Sequence, residues 1–241
     1  MTAPTQVLLL PGLLCDASYW QAQVQGLSAH ARCVVADYGM SDSLETMARV
    51  ALQQADAAGM TGQLAVAGHS MGGRVAFELL RIAPERVGRL ALLDTGFHPF
   101  APGADGERER NNRMALVRQS ELEGMRAMGQ AWAKGMVHPH RLGRPLFEDI
   151  LQMIERSNPA RFAAQQNALL TRRDATPQLA SITCPTLVLC GREDSWSGPP
   201  QHEAMHRAIA GSTLRILEDC GHMCTMERPK AVTAALAAWL S

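Results

Sequence analysis

Leu64-Ala65-Val66-Ala67-Gly68-His69-Ser70-Met71-Gly72-Gly73-Arg74-Val75-Ala76-Phe77 is the stretch on which the reading of this chain turns. Leu64 to Ala67 is a short apolar run, suited to a buried parallel strand. From Val75 the apolar spacing changes. Val75, Leu79 and Ile82 share one helical stripe, with Ala76, Leu80 and Ala83 beside it. The switch falls on Gly68-His69-Ser70-Met71-Gly72, a G-x-S-x-G element. A turn that sharp strains its central residue and leaves the hydroxyl above the strand ends, while the flanking glycines let strand and helix approach closely. Ser70 is therefore the candidate nucleophile.

The same alternation extends outward in both directions. Val7 to Leu10 reads as a strand broken by Pro11-Gly12, followed by a loop over Leu13 to Ala17 and a helix from about Ser18 to Ala29. Cys33 to Ala36 is a second strand. Asp42-Ser43-Leu44-Glu45 has the spacing of a capping box that opens a helix to about Ala58. Pro84 ends the helix after Ser70, and Leu90 to Leu93 is the next strand, closed by Asp94-Thr95-Gly96. Between Phe97 and Ala180 the strand pattern stops and helix signals crowd in. Ser120-Glu121-Leu122-Glu123 has capping-box spacing, Leu146, Ile150, Met153 and Ile154 recur at helical intervals, and Asn158-Pro159 reads as a cap with proline in the first turn. Alternation resumes with a strand at Thr186 to Cys190, a helix near Gln201 to Ala210, a strand at Leu214 to Leu217 and a helix from Pro229. The pattern predicts an α/β fold: a mostly parallel sheet of about six strands with helices on both faces, forming one domain over residues 1–241. A helical cap is expected as an insertion at about 97–180, at the carboxyl end of the sheet where such folds carry their sites.

Bulk properties narrow the class. The chain has 241 residues, 46% of them hydrophobic and 19% charged, with a formal net charge of zero, which lacks the positive balance expected of a nucleic-acid binder. Met1 to Gln6 has neither the basic start nor the apolar core of a signal peptide. Ala231 to Leu240 is about half the length of a membrane span. The six cysteines are scattered and show no zinc spacing. These features predict a reduced, cytoplasmic protein. A small-molecule substrate and a monomer or homodimer are expected, with no metal, cofactor, nucleic acid or membrane taking part.

A serine hydroxyl is a weak nucleophile near neutral pH and needs a positioned base, which in turn needs an orienting acid. Asp194 lies just after the strand ending at Cys190, and His222 follows the strand ending at Leu217, giving the chain order Ser, Asp, His. Glu193 and Asp94 remain alternative acids. His69 is expected to pack or hydrogen-bond beneath the elbow. An oxyanion needs two backbone N–H donors, one from Met71 and the other from the loop after the first strand, where Leu13 is favoured.

Taken together, Pro11-Gly12-Leu13, Gly68-His69-Ser70-Met71-Gly72-Gly73, Gly191-Arg192-Glu193-Asp194 and Gly221-His222 resemble the α/β-hydrolase superfamily. Within it the sequence is similar to the cap-bearing, cofactor-free serine esterases related to the pimeloyl-ester esterases. The resemblance implies Ser70 as nucleophile, His222 as base, Asp194 as acid, and Leu13 and Met71 as oxyanion donors. Two departures stand out. Members usually carry His-Gly where this chain has Pro11-Gly12, so a bracing side chain is lost, and the leading hairpin common in the family is not expected here, which leaves about six strands instead of eight. Serine at 70, where aspartate serves in haloalkane dehalogenases and epoxide hydrolases, points away from those chemistries. Gly72-Gly73-Arg74 is similar to the lyases of menaquinone synthesis, in which case Arg74 would serve a substrate carboxylate; a salt bridge to Glu78 is the alternative. The implied function is hydrolysis of small carboxylic esters through an acyl-enzyme. The alternatives are a lyase or carbon–carbon hydrolase acting on an anionic substrate, and a slow-turnover ligand sensor.

The cap should shape the pocket. Met114, Met125, Met128, Met136 and Met153 with Trp132 and Phe162 supply adaptable apolar surface, either for substrate or for packing on the core. Arg74, Trp132 and Met136 are the candidate substrate-binding residues. From Phe97 to Ala180 there are 12 Arg and Lys against 9 Asp and Glu, an excess that reads as a solvated face. Cys15, Cys220 and Cys224 read as packing residues.

Overall fold

A computed structural model describes residues 4–241; Met1 to Ala3, half of the Met1 to Gln6 stretch read above, lie outside the described residues. Six strands form one parallel sheet: β1 (Thr5–Leu10), β2 (Ala31–Val35), β3 (Leu64–His69), β4 (Val87–Leu93), β5 (Thr186–Gly191) and β6 (Thr213–Leu217). Their order is β2-β1-β3-β4-β5-β6. Every residue of β3 and β5 is buried, as continuous apolar runs covered on both faces must be. The edge strands β2 and β6 carry partly exposed residues instead. Sequence had these strands shorter by up to three residues, because polar positions such as Arg89 and His69 interrupt the apolar pattern without interrupting the ladder.

Helices α1 (Gln21–Leu27), α2 (Leu44–Ala57) and α3 (Met71–Ile82) follow the first three strands. Helix α3 starts one turn ahead of the apolar stripe at Val75. Gly72 and Gly73 sit in that first turn for close approach, not for helix propensity. The cap of α2 is Ser43, whose hydroxyl accepts the Thr46 N–H at 3.1 Å, one residue beyond the Asp42 box read from sequence.

The chain between β4 and β5 is a helical insertion. It contains α4 (Gly103–Glu123), α5 (Met125–Trp132), α6 (Pro145–Glu155), α7 (Pro159–Leu170) and the short α8 (Thr176–Leu179). Asn158 caps α7 by accepting the Arg161 N–H at 2.9 Å. Ser120 caps nothing: it lies inside α4, buried, and its hydroxyl donates to the Val117 carbonyl. The break falls at Gly124, whose φ of 87° only glycine adopts readily. Met125, Met128 and Met153 are buried among the inserted helices, so most of the methionine stripe fills the space between helices. Helix α9 (Pro199–Ala208) joins β5 to β6, and α10 (Cys224–Glu227) and α11 (Pro229–Leu240) close the chain. Helix α11 packs on α1, and α2 packs on α3, covering the two faces of the sheet. No helix among the described residues is long and apolar enough to cross a membrane.

All strands point the same way, so the segments after β1, β3, β4, β5 and β6 emerge at one edge. Those segments carry Leu13, Ser70, Asp94, Asp194 and His222.

Candidate active site

Ser70 stands between β3 and α3 with φ 53° and ψ −116°, a strained conformation for a residue with a side chain. Four contacts hold it there. Its N–H donates to the Leu93 carbonyl at 2.9 Å, and its carbonyl accepts from the Thr95 hydroxyl at 2.6 Å, from Gly73 N–H at 3.0 Å and from Arg74 N–H at 3.4 Å. The turn closes only because of its glycines. A Cβ on Gly72 would lie 2.0 Å from the Leu10 carbonyl oxygen, and one on Gly68 would lie 2.4 Å from the Gly72 carbonyl oxygen. Backbone cannot yield to such overlaps without moving β1 or α3.

His222 bridges the other two residues. Its Nε2 is 2.8 Å from Ser70 Oγ, and its Nδ1 is 2.8 Å from Asp194 Oδ2. An ionised carboxylate only accepts, so Nδ1 carries the proton and Nε2 is left to accept the serine O–H. The second Asp194 oxygen accepts the N–H groups of Trp196 and Ser197 at 2.8 and 3.0 Å. Burial alone would raise Asp194, but the His222 charge and these hydrogen bonds outweigh it and hold the carboxyl below its usual range. Burial likewise works to lower His222, and the Asp194 carboxylate more than reverses it, raising the imidazole above its ordinary value. The two shifts have opposite directions, as a charge pair requires.

The alternative acids are engaged elsewhere. Glu193 accepts the Cys220 N–H at 2.9 Å. Asp94 accepts the Gly191 N–H at 2.9 Å through Oδ1, while Oδ2 is buried without a partner, 3.9 Å from His69 Nε2. Burial, and then the Asp194 charge, push the Asp94 carboxyl well above the usual carboxylate range. His69 lies under the elbow as expected. Its Nε2 is 2.8 Å from the His222 carbonyl and its ring stacks on Tyr19, while burial keeps it neutral.

Leu13 and Met71 line a cavity of 610 Å³ together with Ser70 and His222, and neither backbone N–H donates to an acceptor among the described residues. Two side chains hold the loop after β1, where Pro11-Gly12 stands. The Tyr38 hydroxyl donates to the Pro11 carbonyl at 3.2 Å, and Gln165 of α7 accepts the Leu14 N–H at 2.9 Å. Trp132, Met136 and Arg74 also line the cavity. Trp196 completes an aromatic wall, stacked on Trp132 and tilted against His222 with centroids 5.4 and 4.9 Å apart. Arg74 is not paired with Glu78. Glu78 binds Arg81 and Arg173, and Arg74 donates to the His98 carbonyl at 2.8 Å. Cys15, Cys220 and Cys224 are buried, and burial raises their thiols, which suits packing. No group of three or more metal-ligating side chains occurs among the described residues.

Sequence reasoning missed Glu227. One of its oxygens accepts the Gly221 and Met223 N–H groups at 3.0 and 3.2 Å, on either side of His222. The other accepts the His138 N–H at 2.8 Å and Arg141 Nε at 3.0 Å, from the insertion. Glu227 is a positioning residue for the histidine loop, and its charge also helps raise His222. Glu227→Gln should keep the fold and lower kcat about tenfold by loosening that loop. It should also move the acid limb of the pH–rate profile to lower pH, a change that loss of packing alone would not produce. A profile measured on both proteins checks this.

Comparison with known proteins agrees with this fold. The Alpha/beta hydrolase family model matches residues 7–236. A thermophilic esterase from Thermogutta terrifontis, solved with malate bound, is 30% identical and covers 100% of this chain and 90% of its own, with a TM-score of 0.88. RutD of Klebsiella pneumoniae, whose name proposes a carbamate hydrolase, is 28% identical over 243 residues, 91% of this chain and 85% of that protein. An Escherichia coli 2-hydroxy-6-oxononadienedioate/2-hydroxy-6-oxononatrienedioate hydrolase is 27% identical over 183 residues, 68% of this chain and 57% of that protein. With a family match over nearly its whole length and the fold to go with it, the chain belongs to the alpha/beta hydrolase family.

Proposed function

We propose that the protein is a serine esterase that cleaves small carboxylic esters through an acyl-enzyme. The observation that carries this is His222, hydrogen-bonded at 2.8 Å to Ser70 Oγ on one side and at 2.8 Å to the Asp194 carboxylate on the other. Ser70 attacks the ester carbonyl as His222 Nε2 takes its proton. The N–H groups of Leu13 and Met71 stabilise the oxyanion, each such donor being worth about 10²–10³ in rate. His222 then protonates the departing alcohol oxygen. Water then attacks the acyl carbonyl as it gives a proton to the same nitrogen, and that proton passes to Ser70 Oγ as the carboxylic acid leaves. The likeness to the Thermogutta esterase supports ester cleavage, and its malate complex suits a site whose product is a small carboxylic acid.

The test is hydrolysis of p-nitrophenyl esters from acetate to decanoate, followed against pH. Steady turnover is expected. The base must be neutral to act, so kcat/KM should fall on the acid side of a midpoint above about 6.5, the ordinary histidine value. A stoichiometric burst followed by no further release would overturn the esterase assignment in favour of a lyase, a carbon–carbon hydrolase or a sensor.

A further inference from the structure

The chemistry described so far uses one side of the cavity. The other side is built in an unusual way. In α4, Asp105, Arg108, Glu109, Asn112, Arg113 and Leu116 recur at intervals of three and four and all line the cavity. They form one helical face. An inserted helix ordinarily turns its apolar stripe inward, whereas this one presents its charged stripe. Arg172 and Gln166 from the α7 region and Arg74 from α3 complete the wall.

The charges there do not cancel. Asp105 pairs with Arg108. Glu109 is shared, accepting from Arg113 Nε at 2.8 Å and from both Arg172 terminal nitrogens at 2.7 and 2.8 Å. Those bonds overcome its burial and keep Glu109 ionised. Arg74 has no carboxylate partner among the described residues, only the His98 carbonyl. Four arginines against two carboxylates leave an excess of two positive charges. Burial, and then the Arg172 and Arg113 charges, pull Arg74 down to about 9. It is still cationic at neutral pH, but its charge lacks a counterpart. Donors are also in surplus: Arg172 Nε and Gln166 Nε2 are buried without a hydrogen-bond partner. An uncompensated charge that is half-buried, as Arg74 is, and buried donors left unmet are costly, so a wall of this kind is built for a ligand that supplies the missing anion.

We propose that Arg74, Arg113 and Arg172 form a carboxylate-binding subsite, and that the substrate is an acidic ester, one carrying a free carboxylate besides the ester group. Guanidinium groups receive a carboxylate through paired N–H bonds, which fixes the ester relative to Ser70 as well as adding affinity. The aromatic wall of Trp132 and Trp196 takes the uncharged remainder. This inference rests on the esterase reading for the word ester, but the subsite can be tested without turnover.

The experiment is calorimetric titration of the Ser70→Ala protein at low ionic strength with monomethyl glutarate, dimethyl glutarate and inorganic phosphate. Monomethyl glutarate should bind at least about tenfold tighter than the neutral diester, the scale of a charge-assisted contact. Arg74→Gln and Arg172→Gln, each added to that protein, should remove most of the gap. Arg172 also anchors Glu109, so its loss can unsettle the insertion. Gln166→Glu is the safeguard, since it keeps every arginine and gives Arg113 a carboxylate of its own in place of the amide it now donates to at 2.7 Å. It should narrow the gap while leaving the melting temperature unchanged or higher. Equal affinity for the two esters, no binding of the monoester, or a gap untouched in all three variants would overturn the subsite. Phosphate bound as tightly as the monoester would overturn its assignment to carboxylates. A failure of wild-type protein to hydrolyse any ester, with this binding pattern intact, would instead remove the esterase reading and leave the subsite standing.

Discussion

Ser70→Ala should lower kcat for a p-nitrophenyl ester by about 10⁴–10⁶-fold, and His222→Ala by a similar factor, with the double variant no worse than either. The two act as one unit: the hydroxyl is nucleophilic only while Nε2, 2.8 Å away, accepts its proton. Once either is gone, what remains is binding and the two backbone donors at Leu13 and Met71. The loss should be chemical, not structural. Among the described residues Ser70 Oγ has no hydrogen-bond partner besides His222, and the elbow is held by backbone contacts and the Thr95 hydroxyl, all of which survive in the alanine protein. Equal melting temperatures together with lost turnover would verify the assignment. A tenfold effect would place the nucleophile elsewhere.

Asp194→Asn should cost about 10⁴-fold in kcat, far more than a change of one atom suggests. The reason lies in the second oxygen. The Trp196 and Ser197 N–H groups already donate to Oδ1, so the asparagine carbonyl must take that place. Its NH₂ then faces His222 Nδ1 and can only donate. That forces the imidazole proton onto Nε2, where it confronts the serine hydroxyl instead of accepting from it. Removing the carboxylate also removes what raises His222, so residual activity should titrate at lower pH than in wild type. Asp94→Asn is the control. Burial pushes the Asp94 carboxyl well above its usual range, toward the neutral form an amide imitates, and its Oδ1 contact to the Gly191 N–H can be kept by an amide oxygen. Its effect should be at least about a hundredfold smaller. Comparable losses in both variants would show that the two carboxyls share the task.

The fold and the central residues were legible because each rests on a local signal. Ser70, Asp194 and His222 each lie shortly after an apolar run, and in a parallel sheet the residue after a strand goes to the functional edge whatever the helices do. Glycine at 68 and 72 marked the elbow for the same reason the structure needs it there. Glu227 carried no such signal: it sits five residues beyond His222, and its importance arises only when His138 and Arg141 are brought to it from the insertion. Helix α4 was obscure for a different reason. Periodicity assigns the polar face of a helix to solvent, and here part of that face looks into a cavity, so Arg113 and Arg172 read as surface charge. Ser120 shows the same limit on a smaller scale, since capping-box spacing occurs inside α4, and Gly124 supplies the stop.

The tie between insertion and histidine loop has a thermodynamic consequence. The Met136 carbonyl accepts the N–H groups of His222 and Met223 at 2.8 and 3.1 Å, and Glu227 holds His138 and Arg141 from the same stretch. At a net 0.5–1.5 kcal/mol each, these four bonds set a cost on the order of 2–6 kcal/mol for detaching residues 136–141, which keeps the detached population at roughly a few per cent or less. Because that detachment also breaks the bond to the His222 N–H, the seating of the insertion and that of the imidazole share one equilibrium. On the proposed mechanism, a molecule detached there is an inactive one.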